Sequence, residues 1–504
     1  MSTRRFWLIF GLLFLAALGK RLLTFCLGPG AFEQDAPEYW AFGTDVAAGD
    51  WLLLDSRVDY RTPLYPMVLG VFQRCFGAYA LMAVVIAQHL LLLVAGLINA
   101  WTCWRLTESR VATLVAYGFS VACLMRSWFG NVILTEPMFL CFLTATVGAL
   151  AAYHRRPSLR WALMFALLLG LTVMVRPVPK LLWVPLVGLF FIHATRWAPE
   201  RVRFRLVAVH AAWAIVIFCV VLSPWLMRNW FLFGEPFLAR LPALNKWEVC
   251  FQGGSAARLP IPATPPGRRL LALIGTPDGD VPDRHCYGAI GALKAKGLDP
   301  EEIDQLVTAV CADAIHEHPF EFAWPAFKRF VNFWRAEADD IPFYGSSRKF
   351  DDQRDWRLEP IASLYDDVLM MTPSHWWRWN ETFAMVVGFG CFLMVLAPRT
   401  RAMGLSLGAI FLYFAAVTAA VEVENYRYRM ILEPCLIMAV VAGFANLELR
   451  VSRTRDAVRC DVGRYSVAVL TSGAQRRRWK SPMEDECLEE SRGSPTSVPV
   501  AGNG

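Results

Sequence analysis

Long apolar runs separated by short polar breaks dominate the chain. Ten of them approach the roughly 20 residues an α-helix needs to cross about 30 Å of hydrocarbon. They lie near residues 6–27, 78–101, 111–128, 132–153, 159–176, 180–196, 206–227, 378–397, 402–422 and 430–448. The pattern predicts an all-α polytopic membrane protein with about ten transmembrane helices, in a range of about nine to twelve. Arg4 and Arg5 precede the first run as they would in a signal peptide, but no small-residue cleavage pattern closes it, so it is expected to stay as an uncleaved span.

Two polar stretches interrupt the runs, a first loop at 28–77 and a large loop at 229–377. The predicted organisation is a transmembrane core over 1–228, a mainly α loop domain over 229–377, three further spans over 378–448 and a tail over 449–504 whose end, from Gly473, reads as disordered. Within the large loop, Asp299-Pro300-Glu301-Glu302 is a helix start: a cap, a proline in the first turn and acids at the positive end of the dipole. From Pro319, the residues Phe320, Trp324, Phe327, Val331 and Trp334 recur at three- and four-residue steps. That stripe suits a helix lying on a bilayer surface, and it equally suits an ordinary core helix. Pro260 to Pro282 reads as a loop.

Composition agrees with the pattern. At 504 residues a soluble chain would hold about three domains, but 56% of the residues are hydrophobic and only 18% charged. Twenty Trp and 34 Phe favour an oil–water boundary. Disorder, collagen and a disulfide mini-scaffold are excluded. The net charge of 50 − 43 = +7 comes largely from Arg clusters in short loops, so it reports topology and not nucleic-acid binding. With the N-terminus inside, Arg105 and Arg110, then Arg155, Arg156 and Arg160, then Arg196, Arg201, Arg203 and Arg205, then Arg399 and Arg401 fall in the inner loops. Both termini are then cytoplasmic, in a bacterial-type inner membrane. Most of the 13 Cys lie in or beside apolar runs, where a thiol behaves as a small hydrophobe. Cys75, Cys250, Cys286 and Cys311 lie in the outer loops, where an oxidising compartment would permit one or two disulfides.

Polar residues of chemical interest gather at the outer ends of the runs. The first loop reads Glu33-Gln34-Asp35-Ala36-Pro37-Glu38-Tyr39-Trp40, then Tyr60-Arg61-Thr62-Pro63-Leu64-Tyr65-Pro66. Later outer turns hold Thr135-Glu136-Pro137, Arg176-Pro177, Lys180, Pro224-Trp225 followed by Arg228-Asn229, and Glu422 to Arg429 with Tyr426-Arg427-Tyr428-Arg429.

In this ordered set, from about residue 6 to 448, the chain resembles the GT-C superfamily of membrane glycosyltransferases. The resemblance is to the polytopic group related to protein O-mannosyltransferases and bacterial lipid A aminoarabinose transferases, with their RgtA/B/C/D-like domain. It implies an inverting transferase that moves a sugar from a polyprenyl-phosphate donor to an envelope acceptor, whether lipid, glycan or protein, on the outer membrane face. The family's catalytic Asp in the first outer loop maps to Asp35, the expected base for the acceptor hydroxyl. The leaving group is a lipid phosphate, whose developing charge calls for fixed cations; Arg61, Arg228, Arg427 and Arg429 are the candidates, joined by Lys20, Arg21 and Lys180. Glu136, Glu38, Tyr39 and Tyr60 are candidates for acceptor or metal contacts, since some relatives hold a divalent metal ion near these loops.

Asp35 is followed by Ala36 where protein O-mannosyltransferases carry an Asp-Glu pair, which weakens a protein acceptor. His316-Glu317-His318 is a poor metal cluster, because neighbouring helical residues diverge by about 100°. Lys20, Arg176 and Lys180 also fit simple headgroup anchors, and Trp376, Trp377 and Trp379 fit an aromatic belt. Two rival classes remain: a lipid-linked sugar transporter or flippase, which would show internal repeats and mid-membrane charges, and a binding or signalling protein, suggested by Arg476-Arg477-Arg478 in the tail.

Overall fold

The computed structural model describes residues 1–27, 31–32, 35–123, 128–186, 188, 201–254, 256–276, 279–333, 380–397, 399–422, 429, 431–446, 449–453, 457–462 and 465–470. Among the described residues up to 446, the regular elements are all helices. The helices are α1 (Thr3–Leu27), α2 (Ala36–Ala48), α3 (Leu64–Phe76), α4 (Ala80–Thr107), α5 (Arg110–Cys123), α6 (Trp128–Asn131), α7 (Glu136–Arg155), α8 (Leu159–Val175) and α9 (Arg201–Phe233), with a 3-10 turn at Val178–Leu181. An inserted domain follows, with α10 (Ala243–Phe251), α11 (Pro265–Ile274), α12 (Cys286–Ala295), α13 (Pro300–Glu317) and α14 (Pro319–Asn332). The bundle then closes with α15 (Asn380–Leu396), α16 (Arg401–Val421) and α17 (Glu433–Ala445).

The apolar runs become helices because nothing inside them breaks the hydrogen-bond ladder, and in hydrocarbon every backbone group must be satisfied within its own segment. Among the described residues, five helices are long and apolar enough to cross a membrane, and four shorter apolar ones accompany them. α7 lies at the centre, packed by α4 and α8, with Phe139, Leu140, Leu143 and Leu150 fully buried. α9 packs on α8, while α17 packs on α15, α5 and α4. Outside, Leu8, Leu12 and Leu15 of α1, Trp213, Val216 and Val220 of α9 and Met385, Phe389 and Phe392 of α15 are exposed. Such continuous apolar surface is the lipid-facing belt of an integral membrane protein.

The expected span at 180–196 falls mostly outside the described residues; what is seen of it is the 3-10 turn and a helical stretch at 183–186. The run at 132–153 starts its helix only at Glu136, because Pro137 in the first turn is a helix starter and Ile133 is tied back to the Ala31 carbonyl at 3.0 Å. At the other end of the bundle, Glu108 caps α4 with φ of 53° and takes ion pairs from Arg155, at 2.6 Å, and from Arg399. These loops, expected to carry retention charges alone, therefore also bind one another.

The inserted domain has its own core, built on Trp247, Phe251, Leu270, Leu293, Leu306 and Val310. The expected start of α13 is present as a full capping box, in which Asp299 accepts from the Glu302 amide at 2.8 Å and the Glu302 side chain accepts from the Asp299 amide at 3.3 Å. The described outer-loop cysteines Cys75, Cys250, Cys286 and Cys311 carry unbridged thiols.

Residues 447–504 form a separate unit. It contains an antiparallel meander, β1 (Leu449–Arg453), β2 (Ala457–Val462) and β3 (Tyr465–Leu470), with Val451 opposite Cys460 and Cys460 opposite Val467. The charge pattern of the tail gave no hint of these strands. The expected disorder from Gly473 lies outside the described residues.

Candidate active site

The first loop folds as a helical hairpin, α2 against α3, whose axes come close because both crossing positions are glycine. A Cβ on Gly70 would meet the Val46 side chain at 2.5 Å, and one on Gly43 would meet Leu69 at 2.8 Å. Asp35 is the N-cap of α2, Pro37 sits in the first turn and Glu38 follows. An N-cap carboxylate ordinarily accepts an amide of the first turn. Asp35 makes no such bond and instead meets Arg61, Oδ1 to Nη2 at 3.2 Å, with 36% of its side chain exposed.

Arg61 is the hub of this cluster. Its Nε and Nη2 donate to Glu38 Oε2 at 3.1 and 2.8 Å, and Nη1 donates to the Tyr39 hydroxyl at 3.3 Å. Its guanidinium stacks 4.9 Å from the Tyr39 ring centroid and 5.5 Å from that of Tyr60, whose hydroxyl donates to Glu38. Burial alone would lower the Arg61 pKa, but Tyr39, Asp35 and Glu38 together hold it above the ordinary value. Tyr60 is pushed up by burial and by its bond to Glu38. The charge of Arg61 is therefore permanent, and it is already shared between two carboxylates.

A second layer lies behind the first. Glu136, the first residue of α7 and fully buried, pairs with Arg176 at the end of α8 at 3.3 Å, and Thr135 donates to its other oxygen at 3.3 Å. Tyr39 joins the layers: burial raises its pKa, and the charges of Arg61, Arg176, Asp35 and Glu136 all act on it. The Tyr39 ring also meets that of Tyr65 edge-on at 5.3 Å. The Tyr65 hydroxyl donates to Gln88 at 2.7 Å, and Gln88 donates to the carbonyls of Gly130 and Val132 at 3.0 and 2.8 Å. This strut from the first loop to the turn before α7 escaped sequence reasoning. Its signal was available, since Gln88 and His89 interrupt an otherwise apolar run.

Arg228 departs from its expected place. It is buried in the last turns of α9, and its guanidinium donates to the carbonyls of Leu52 at 3.0 Å, Val58 at 2.6 Å and Leu53, and to the Asn229 amide oxygen at 2.7 Å. It stacks 4.4 Å from the Trp225 ring centroid. Its donors are thus engaged by the segment between α2 and α3, which holds Leu53 and Arg57 at φ of 52° and 47°. These left-handed conformations are strained for non-glycine residues, and a fixed partner such as Arg228 is what maintains them.

Arg429 is buried immediately before α17, one turn from buried Glu433, while Arg427 lies outside the described residues. Lys180 is exposed on the 3-10 turn, and Lys20 reaches the Val121 carbonyl at 3.5 Å. Arg21 is buried. From the inserted domain, Tyr287 at the start of α12 is 70% exposed, stacks on His285 at 5.7 Å and feels the charge of Asp35. Sequence reasoning passed over this aromatic pair.

No group of three or more His, Cys, Asp or Glu among the described residues converges on one point, and the two carboxylates of the first loop meet across a guanidinium. His318 Nδ1 lies 3.2 Å from Glu321 Oε1. Trp376, Trp377 and Trp379 lie outside the described residues.

Fold and site define a polytopic helical membrane protein with an acid–guanidinium cluster at one end of its bundle. No protein-family model and no curated protein matches the chain. Among solved structures it is similar to the archaeal oligosaccharyltransferase AglB from Archaeoglobus fulgidus in complex with an inhibitory peptide and a dolichol-phosphate. That similarity has 10% identity and a TM-score of 0.44, over 88% of this chain and 50% of that one. The apo form of the Archaeoglobus fulgidus oligosaccharyltransferase gives 11% identity and 0.46 over the same shares. ArnT from Cupriavidus metallidurans bound to undecaprenyl phosphate gives 14% identity and 0.36, over 84% of this chain and 78% of that one. The chain spans about half the length of the oligosaccharyltransferase.

Proposed function

We propose that the protein is an inverting membrane glycosyltransferase that moves a sugar from a polyprenyl-phosphate donor to an envelope acceptor, with Asp35 as the base. The observation that carries this reading is the Asp35 carboxylate: accessible, making no capping bond, and oriented by Arg61 at 3.2 Å. In the reaction the acceptor hydroxyl gives its proton to Asp35 as its oxygen bonds to the anomeric carbon. The carbon–oxygen bond to the lipid phosphate breaks on the opposite face, and its electron pair leaves with the phosphate. A phosphate leaving group needs no general acid, only cations fixed near the developing charge.

Arg429 and Arg427 take that role in this reading. Arg61 is assigned to orient Asp35 and Glu38, and Arg228 to hold the 52–58 segment beneath the hairpin. Tyr287 and His285 form an aromatic face for the acceptor. Glu38, Tyr39 and Tyr60 keep Arg61 in place, and Glu136 supports Tyr39 through its pair with Arg176. In this reading the site, at the end of the bundle opposite the Arg-rich short loops, lies outside the cytoplasm and both termini lie inside.

The test uses purified full-length protein with a panel of undecaprenyl-phosphate sugars and release of lipid phosphate as the readout. Loss of general-base catalysis lowers a rate by about 10²–10⁴-fold, and Asp35→Asn is expected in that range with unchanged thermal unfolding. A folded Asp35→Asn protein that transfers at the wild-type rate overturns the assignment.

A further inference from the structure

Helix α14 has two unlike faces. On one, Arg329 is buried and its Nε donates to the carbonyl of Ala419, in the last turn of α16, at 2.8 Å. Phe330 and Phe333 of the same face pack into the core of the spanning bundle. The other face carries Phe320 at 86% exposed, Trp324 at 59%, Phe327 at 54% and Val331 at 42%. The Trp324 and Phe327 rings stack at 5.7 Å, and Lys328 places its ammonium 5.6 Å from the Trp324 ring centroid.

These eleven residue steps make a strip about 16 Å long at 1.5 Å per residue. Keeping four such side chains in water forfeits about 1.5–3 kcal/mol for each Phe-sized group. The inner face shows what the strip meets. Because Arg329 bonds to the final turn of a spanning helix, α14 sits at the depth where that helix leaves the hydrocarbon. α16 in turn exposes Leu412, Ala416 and Ala420. Trp beside Lys is the pairing suited to that depth, with the ring among the upper acyl chains and the ammonium at the phosphates.

We propose that α14 is a membrane-surface helix whose Phe320, Trp324, Phe327 and Val331 face inserts into the leaflet at the active-site end of the bundle. It moors the rest of the inserted domain, joined to it through His318, to the bilayer as well as to α16. The proposal rests on membrane embedding and is independent of the transfer chemistry.

The experiment places a benzophenone-bearing phenylalanine at position 327 in one full-length protein and at exposed position 305 of α13 in another. Both are reconstituted in phosphatidylcholine–phosphatidylglycerol vesicles and irradiated. The expected result is lipid adducts on the 327-containing peptide at least fivefold above those at 305. Equal yields, or crosslinks at 327 to a second copy of the chain in place of lipid, overturn the proposal. A second measurement takes the emission difference between wild type and Trp324→Phe in vesicles with bromines near the headgroup end of the acyl chains. Quenching of that difference at least twofold stronger than with bromines at the chain ends supports insertion. A difference indifferent to bromines and quenched by aqueous iodide overturns it.

Discussion

Arg228→Ala separates two readings of one arginine. A phosphate ligand and a loop latch look identical in the sequence, but the structure gives the side chain four acceptors, three of them carbonyls of the 52–58 segment. Removing it leaves those acceptors unpaired beside a cavity, with two left-handed residues unsupported. A buried unsatisfied polar group costs about 1–3 kcal/mol, and water entering the cavity re-pairs some of them, so the net loss is about 3 kcal/mol. Because every 1.4 kcal/mol is tenfold, local opening of the segment rises by about 150-fold. Amide hydrogen exchange of peptides covering 49–60 in the detergent-purified protein reads this directly. Arg228→Lys should fall between the two, because an ammonium lacks the planar fork that reaches several carbonyls at once. Exchange within about threefold of wild type in the Ala variant, together with a donor KM raised at unchanged loop protection, would refute the latch and restore the phosphate role.

Other consequences follow from the same geometry. Glu136→Gln or Arg176→Met alone breaks a buried ion pair and should destabilise by about 3–5 kcal/mol, while the double variant recovers much of that, as thermal unfolding of all four proteins will show. Burial raises the Glu248 pKa above its ordinary 4.5, so its contribution to folding is complete below that value and fades as pH rises through the shifted one. Glu248→Gln should accordingly flatten the fall in unfolding temperature of the inserted domain between mildly acidic and neutral pH; an unchanged slope contradicts the buried-acid account. Tyr287→Ala should raise the KM for acceptor with a smaller change in kcat, whereas an effect confined to the donor removes it from the acceptor face.

The legible features and the hidden ones differ in physical kind. Spanning helices are legible because hydrocarbon imposes a length and an apolarity that few other structures need. The α13 cap is legible because its chemistry is local, three residues apart. Asp35, Glu38, Arg61, Glu136 and Arg176 are each visible as polar residues at span ends. Their pairing is not, because Asp35 and Arg61 meet only after Gly43 and Gly70 let two helices touch. The strands of the tail were hidden for another reason: the alternation Val458, Cys460, Val462 and then Tyr465, Val467, Val469 has the two-residue period of a sheet, but Arg and Asp between those positions draw the eye to charge.

Arg228 and Arg61 make the sharper point. Both were candidates for phosphate because arginine at a membrane–water boundary is the residue that holds one. Both guanidiniums are already paired within the protein, Arg228 buried and Arg61 partly exposed. In this chain carbonyls satisfy one and carboxylates the other. The cation proposed to meet the phosphate is Arg429, with Arg427, from the segment that follows α16. Arg429→Met with a wild-type donor KM and wild-type turnover would remove that segment from the reaction and leave Asp35 without a phosphate-binding partner.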